Sequence, residues 1–556
     1  MDDLKVGRLI EKFDTEGAQS LTKRIVELLE KQTESDFSIA VLTVNKLNDL
    51  GRLSAYEVSS LLTEVRMSEV PILWKLTFFL EADFVNDDAW QENIDTILSQ
   101  LSDLEDYRAV HALSNKVFRK MGGKALKHYQ PHSEKILALR SKLQSSPIGI
   151  ELKGQVGESE SLNSINTLNT SLKVMCVIST WPQKTDSTHM GVVYLLKELV
   201  TNGNAHNEFH LVVSGESETF SPFGRLTSLT QDIVDEQVDY WVKNGGKKEH
   251  LFSNIDITND PATKNVKIIN AANYVSSIAP DLLLYVGGPY ESTLFRKLMF
   301  PYFATCVVPT SIKGTPALGF DGVVATSDEA ADKFNKRFKE LTYRVPKPFM
   351  LFQNNNEYEG WFPDVGTNGV VVATVLGGNR IEKCLKALSD DELSSVARIF
   401  LENENFTWIF VGKTDMRKIA SLSEEFNFLV ENKRIVYIEY VTEIRSFLRR
   451  LDIFFVIPGM TGGGQGAQAA MFENVAVICP FICDVAALVP QEGKYENIEQ
   501  CRDIISQVAD KNALSIYKNT CRHSVLDSSV NRVSKHWQNA FEEMARAALN
   551  RVNRKS

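Results

Sequence analysis

The sequence contains no run of about 20 apolar residues, the length that a membrane-spanning helix requires. It also has no excess of basic residues, since 61 lysines and arginines stand against 71 aspartates and glutamates, a formal net charge of −10. Nucleic-acid binding requires a basic footprint, so no nucleic-acid partner is expected. The first residues, MDDLKVGRLIEKF, are amphipathic and charged, unlike a secretory signal peptide. These absences predict a protein that works in the cytoplasm.

Cysteine pairs with the spacing of a zinc or redox site are also missing. None of the seven cysteines belongs to a CxxC pair, and Cys479 and Cys483 have no histidine near them in the sequence. Cys176, Cys306 and Cys479 fall in apolar runs, which is typical of buried thiols in a reducing compartment. No metal site and no resident cofactor are therefore expected.

The chain is long enough, at 556 residues, for about three or four domains. Apolar residues at helical spacing predict an all-α domain over residues 1–150, with a capping box formed by Ser54 and Glu57. Residues 151–171 are rich in Ser, Asn and Gly, which predicts a linker. Among the helices predicted in this domain are Leu21–Lys31, Ile39–Leu50, Tyr56–Val65 and Ile72–Leu80.

Two further stretches alternate buried strands with helices, which predicts two parallel, doubly wound sheets. The first lobe covers residues 172–350, the second covers residues 351–527, and an amphipathic helix over residues 528–556 follows. The predicted class is therefore α/β, with two Rossmann-like lobes after an all-α domain. The predicted strands are Leu172–Ile178, Phe209–Val213, Asp281–Val286, Ala304–Val308 and Gly322–Ala325, then Val370–Val375, Trp408–Val411 and Ile435–Ile438.

The stretch Leu451–Pro480 is the most informative part of the chain. A buried strand is followed by TGGGQG, with four glycines in six residues, then by the helix-forming run AQAAMF and a second buried strand. Glycines allow the backbone to approach a ligand, and the N-terminus of the following helix favours a phosphate or diphosphate. The alternative is a flexible turn. No Gly-Lys-Ser/Thr follows, so the loop is not a P-loop, and its late position differs from that of a dinucleotide-binding motif.

The loop after the first strand of lobe one holds candidate proton acceptors. His189 lies just before a predicted helix, and an imidazole with a pKa near 6.5 suits proton transfer, although a His at a helix start also serves as a cap or packing residue. Asp186 is a second candidate base. Two facing lobes with a late diphosphate loop are the layout of a GT-B glycosyltransferase that uses a nucleotide-sugar donor.

The sequence resembles the O-GlcNAc transferase family and its bacterial relatives that glucosylate adhesins. The similar stretches are Ser187-Thr188-His189, Lys313–Asp328, FKELTYRVPKPFM and DIFFVIPGMTGGGQGAQAAMFENVAVI, so that the resemblance spans roughly residues 172–490. It implies an inverting, metal-independent transfer from a UDP-sugar to a protein, with His189 near the acceptor and the donor phosphates. The implied donor-binding residues are Gly462, Gly463, Gly464, Gln465, Gly466, Gln468, Arg380, Lys383 and, as a lesser candidate, Lys413. Arginines and lysines on such loops are otherwise solvated surface.

The second lobe also departs from the family pattern. An acidic residue is expected in the helix after the glycine loop to hold the ribose, and Ala469 stands in that place, so Gln465 or Gln468 would have to substitute through an amide. Three hypotheses follow: a protein glycosyltransferase, a transferase acting on a polysaccharide or glycolipid, and an inactive GT-B partner or chaperone of an active transferase. Self-association, or pairing with another transferase, is compatible with each of them.

Overall fold

The computed structural model describes residues 2–82, 171–182, 188–215, 230–253, 264–287, 293–310, 320–338, 341–350, 357–366, 369–377, 380–460, 464–508 and 510–553. Residues 83–150 and almost all of the predicted linker lie outside this set. The described part of the N-terminal region is helical, as predicted. Its helices are α1 (Asp2–Glu16), α2 (Ala18–Glu30), α3 (Glu34–Asp49), α4 (Ala55–Met67) and α5 (Ile72–Glu81).

The N-terminal helices are held by local caps and a shared apolar core. At the start of α4, the Ser54 backbone N–H donates to Glu57 Oε2 at 2.7 Å and the Glu57 N–H donates to Ser54 Oγ at 3.3 Å, which is the predicted capping box. Phe37 packs edge-on against Trp74 and Phe78, with ring centroids 5.8 and 6.4 Å apart. These rings are buried, so they belong to the core of the helical region.

The first lobe is built on a parallel sheet with the strand order β3-β2-β1-β4-β5-β6-β7. The strand β1, between β2 and β4, reads KVMCVI and is buried on both faces after its first residue, as expected for a parallel sheet covered by helices. The strands are β1 (Lys173–Ile178), β2 (Glu208–Val213), β3 (Leu251–Ser253), β4 (Leu282–Gly287), β5 (Thr305–Pro309), β6 (Gly322–Ala325) and β7 (Thr342–Arg344). The described helices are α6 (Thr188–Gly203), α7 (Gln231–Lys243), α8 (Lys264–Ile278), α9 (Thr293–Met299) and α10 (Asp328–Phe338), with a 3₁₀ turn at Lys248–His250.

The second lobe repeats the design, with the strand order β10-β9-β8-β11-β12-β13. The strands are β8 (Val370–Val375), β9 (Phe406–Val411), β10 (Ile435–Ile438), β11 (Ile453–Phe455), β12 (Ala476–Pro480) and β13 (Lys494–Tyr495). The described helices are α11 (Arg380–Lys386), α12 (Asp390–Glu402), α13 (Met416–Ala420), α14 (Glu424–Glu431), α15 (Ile444–Leu448), α16 (Gly464–Phe472), α17 (Ile498–Val508) and α18 (Lys511–Asp527), with a 3₁₀ turn at Gln491–Gly493.

The last helix, α19 (Val530–Asn553), follows the second lobe in sequence but packs on the first. Trp537, Phe541 and Met544 are buried in the core that β1 and β4 also form. At the far end of the helix, Arg551 Nε donates to Asp321 Oδ1 at 2.7 Å, and the side chain of Asp321 is only 5% exposed. The chain therefore crosses between the lobes twice.

Each sheet reverses its strand order beside its central strand. In the first lobe β1 lies between β2 and β4, and in the second lobe β8 lies between β9 and β11. Ligands of open parallel sheets bind outside the carboxyl ends of the strands at such reversals. These two points therefore set where a functional site is expected. Within the described residues, no helix combines the length and the apolar character needed to cross a membrane.

Candidate functional site between the two lobes

The second lobe contributes the start of α16 to the site. This helix begins at Gly464, so the last three residues of the predicted glycine loop, Gly464–Gly466, form its first turn instead of a loop. Its inner side is anchored by the buried residues Ala467, Ala470 and Met471. Anchoring fixes the direction of the helix axis, so its unpaired N–H groups and the positive end of its dipole point out of the carboxyl edge of the sheet. The described end of the predicted diphosphate loop, Gly464–Gly466, thus lies at a helix N-terminus, where an anion is favoured.

The first lobe contributes the start of α6. His189 is the second residue of this helix and is only 5% exposed. Burial lowers the pKa of His189 from 6.5 to about 3, because a charged imidazole loses its hydration there. His189 is therefore neutral near pH 7. The sequence argument for a proton acceptor assumed an ordinary imidazole pKa, and this burial makes His189 a weaker base than that argument assumed.

The two helix starts meet at Gly191 and Gln465. A Cβ atom added to Gly191, in the first turn of α6, would lie 2.5 Å from Nε2 of Gln465, in the first turn of α16. A side chain at this position would push the amide of Gln465 aside. The contact brings the positive ends of two helix dipoles together across the cleft between the lobes, an arrangement that favours a bound anion.

A lysine that the sequence analysis did not single out also reaches this region. Lys347, in the segment that leaves the first lobe, donates from Nζ to the backbone carbonyl of Asp484. A Cβ atom on Gly464 would lie 3.2 Å from Cβ of Asp484, so Asp484 abuts the start of α16. Burial lowers the pKa of Lys347, while the nearby Asp484 raises it. The only sequence signal was the position of Lys347 within the family-like segment FKELTYRVPKPFM.

Arg380 and Lys383 lie on α11, after the first strand of the second lobe, as predicted. Arg380 is exposed, and its Nε donates at 2.8 Å to the carbonyl of Gly377 in its own loop. Lys383 is also exposed. A Cβ on Gly459, in the loop after β11, would lie 4.0 Å from the carbonyl oxygen of Cys384, so α11 borders the chain that leads to the glycine loop. Both cations are therefore near this loop but point to solvent.

Proteins similar to this chain are found by structure but not by sequence. No protein-family model matches the sequence, and no curated protein matches it significantly. Among solved structures, a mutant of the Thermobaculum terrenum O-GlcNAc transferase aligns with 99% of this chain and 99% of its own, at 12% identity and a TM-score of 0.51. Anabaena HepE in complex with UDP and glucose aligns with 67% of this chain and 100% of its own, at 12% identity and a TM-score of 0.42.

The full-length match to the Thermobaculum structure, with two parallel sheets and helices in the same arrangement, decides the fold. The fold is GT-B. At 12% identity the likeness shows the fold alone. The finer resemblance to the O-GlcNAc transferase family therefore stays a prediction.

The remaining predicted residues occupy different parts of the GT-B cleft edge. Gln468 is buried in α16 with 7% of its surface exposed, whereas Gln465 and Gly466 are half-buried at the start of the same helix. Lys413 is exposed after β9, which is two strands from β11 in the sheet. Asp186, Gly462 and Gly463 lie outside the described residues, so their predicted roles stay predictions.

The position expected for a ribose-binding carboxylate carries no acidic group. Ala469 is half-buried and packs against the core of the second lobe. The next acidic residue, Glu473, is engaged elsewhere: its carboxylate lies 2.6 Å from Arg445 Nε and 2.8 Å from Arg449 Nε. A hydrogen bond from α16 to a ribose would have to come from Gln465 or Gln468, as the sequence analysis anticipated.

Proposed function

We propose that this GT-B protein is a metal-independent, inverting glycosyltransferase that moves a hexose or N-acetylhexosamine from a UDP-sugar to a protein in the cytoplasm. The observation that supports this most directly is the contact between Gly191 and Gln465. It brings two helix N-termini together at the carboxyl edges of two parallel sheets. A nucleoside diphosphate is a ligand whose charge such a place stabilises.

In this proposal the donor diphosphate binds the backbone N–H groups at the start of α16. The glycines there let phosphate oxygens come within hydrogen-bond distance of the backbone. Lys347 donates to the carbonyl of Asp484, which abuts Gly464 at the start of α16, so its positive charge lies close to this site. Charge that develops on the departing UDP is stabilised by these groups without a metal, and Arg380 and Lys383 add exposed cations at the rim.

The reaction then needs one displacement. An acceptor hydroxyl oxygen attacks the anomeric carbon and forms the new glycosidic bond, while the bond from that carbon to the β-phosphate oxygen breaks. The configuration inverts because attack and departure occur on opposite sides. The acceptor proton passes to a donor phosphate oxygen, since burial holds the pKa of His189 near 3 and leaves its neutral imidazole to orient groups by hydrogen bonding.

UDP titration of the full-length chain by calorimetry tests the donor site. Replacing Lys347 by Met removes the charge and keeps most of the apolar stem. We expect UDP to bind about 10- to 100-fold more weakly, the usual loss for one hydrogen bond to a charged group. Lys535→Met is a matched control, because Lys535 is exposed on α19. Equal UDP affinity in both variants would remove Lys347 from the donor site.

The acceptor is tested by the intact mass of candidate proteins co-expressed with this chain. A mass gain of one sugar unit, lost or reduced when Lys347 is replaced by Met, supports the protein acceptor. Sugar on a polysaccharide or glycolipid instead would support the second hypothesis. The inactive-partner hypothesis is favoured by one observation, Ala469 at the expected ribose carboxylate. Failure of the wild-type chain to bind UDP at all would support it.

A further inference from the structure

Three metal-ligating side chains come together in the first lobe, away from the GT-B cleft. Glu208, His210 and His250 each offer a ligand atom, and these atoms all lie within 4.8 Å of one another. The strand pattern explains the grouping. Glu208 and His210 are two residues apart on β2 and so share a face of the sheet. Leu211 pairs with Leu251, which sets His250, the residue just before β3, beside His210.

The separation of the two ligand atoms on β2 is long for a hydrogen bond and suits a shared ion. Nε2 of His210 lies 3.4 Å from Oε2 of Glu208. A charge-assisted hydrogen bond between imidazolium and carboxylate is shorter, about 2.7–2.9 Å. In contrast, two ligands of a tetrahedral zinc ion with bonds of about 2.0–2.1 Å lie about 3.3–3.4 Å apart. The observed separation therefore matches an edge of a zinc tetrahedron.

The tautomer of His210 also fits a metal ligand. Its Nδ1 lies 3.4 Å from the hydroxyl of Tyr274, and that hydroxyl lies 3.4 Å from the carbonyl of Glu249, to which it donates. With the Tyr274 proton directed at Glu249, the phenol oxygen accepts from Nδ1–H, and the lone pair of Nε2 faces the carboxylate of Glu208. A lone pair that faces a carboxylate is favourable when a cation lies between them. Metal-bound histidines are oriented by such outer partners.

His250 and the exposure of Glu208 also bear on metal binding. The rings of His210 and His250 stack with centroids 4.1 Å apart and planes 23° apart. Because the ligating lone pair lies in the ring plane, His250 has to rotate out of this stack to share an ion with His210. Glu208 is 47% exposed, which leaves a path for an ion from solvent.

We propose that Glu208, His210 and His250 bind a zinc ion that ties the edge strand β3 to β2. No motif predicts a metal here, because His250 is 40 residues from His210 in the sequence. The site lies at the amino ends of the strands, about 10–17 Å along β2 from the cleft edge at about 3.3 Å per residue. It is therefore structural and independent of the glycosyl transfer proposed above.

Zinc titration of the full-length, chelator-treated chain tests this site. We expect about one zinc ion per chain in the wild type. Glu208→Gln keeps the shape of a half-exposed side chain and removes one ligand, so affinity should fall at least about 100-fold, because outer partners alone contribute about 10- to 100-fold. Tyr274→Phe should weaken zinc about tenfold or more through the orientation of His210. His523→Gln, at an exposed histidine on α18, should bind as the wild type does.

Cobalt(II) substitution separates this site from the seven cysteines. A tetrahedral cobalt spectrum without a sulfur-to-metal charge-transfer band is expected, and it should disappear in Glu208→Gln. The proposal would be overturned by any of three results: no zinc binding by the wild type, equal binding by Glu208→Gln, or a thiolate band. The three side chains would then pack together without a metal. Because neither measurement involves UDP or a sugar, failure here leaves the proposed function unaffected.

Discussion

Burial of His189 predicts a specific loss of stability in acid. The pKa is 6.5 for an ordinary imidazole and about 3 in the fold. Between these values the unfolded chain binds a proton that the native chain does not, so the free energy of unfolding falls as the pH falls. The stability is fully present above pH 6.5 and declines from there toward pH 3. From pH 7 to pH 5, linkage between the two values gives a loss of about 2 kcal/mol.

The measurement is thermal unfolding of the full-length chain at pH 7 and pH 5. Other groups also titrate in this interval, so the wild type is compared with His189→Gln, in which the imidazole is absent. The melting temperature of the wild type should fall by about 4–8 °C more than that of the variant, because about 2 kcal/mol is spread over a lobe of about 150–250 residues. His536→Gln, at an exposed position on α19, should behave as the wild type does.

An equal fall in the wild type and in His189→Gln would refute the reasoning. It would mean that the native imidazole accepts a proton at an ordinary pH, either because water reaches it or because the lobes open. In that case His189 would regain the properties of a general base, and the transfer of the acceptor proton to a donor phosphate would lose its support.

Two further predictions concern packing. Arg551→Ala leaves the 5%-exposed carboxylate of Asp321 without its guanidinium partner, so the free energy of unfolding should fall by about 3–5 kcal/mol. Arg546→Ala removes an exposed ion pair and should cost below about 0.5 kcal/mol. Equal shifts in the denaturant midpoint of the two variants would contradict this. A Cβ on Gly493 would lie 1.6 Å from the hydroxyl of Tyr517. Gly493→Ala should therefore lower the free energy of unfolding by about 1–3 kcal/mol, seen as a lower denaturant midpoint. Gly7→Ala, in open space, should be neutral or stabilising, and a similar loss there would argue against overpacking.

The longer strands could be predicted from the sequence because a parallel sheet buries both faces. Gly322–Ala325, Val370–Val375 and Ile435–Ile438 agree with the structure at both ends. The strands Leu251–Ser253, Thr342–Arg344 and Lys494–Tyr495 were missed, since two or three residues are too few to show a pattern. Element type thus followed from apolar runs, while short edge strands depend on pairing with neighbours that local sequence does not reveal.

The site could be predicted only where a strand passes into a helix. His189 and the start of α16 could be proposed because glycine and polar residues interrupt the apolar pattern there. Lys347 was missed because its partner, Asp484, is 137 residues away in the sequence. The contact of Gly191 with Gln465 joins the two lobes and was equally invisible. Contacts between distant segments are fixed by tertiary packing, which no spacing rule encodes.

The two crossings between the lobes are joined to each other, and this couples the hinge to the site. The Phe349 N–H donates to the carbonyl of Ser528 at 2.7 Å, and the Val530 N–H donates to the carbonyl of Phe349 at 3.1 Å. Lys347 lies two residues before this bridge and holds Asp484, which abuts the start of α16. Because the outgoing and returning chains bond each other there, we expect any opening of the lobes to move both together and to shift Lys347 relative to the glycine loop. The same opening would separate Gly191 from Gln465 and hydrate His189. Lobe closure should therefore favour both anion binding and the neutral state of His189.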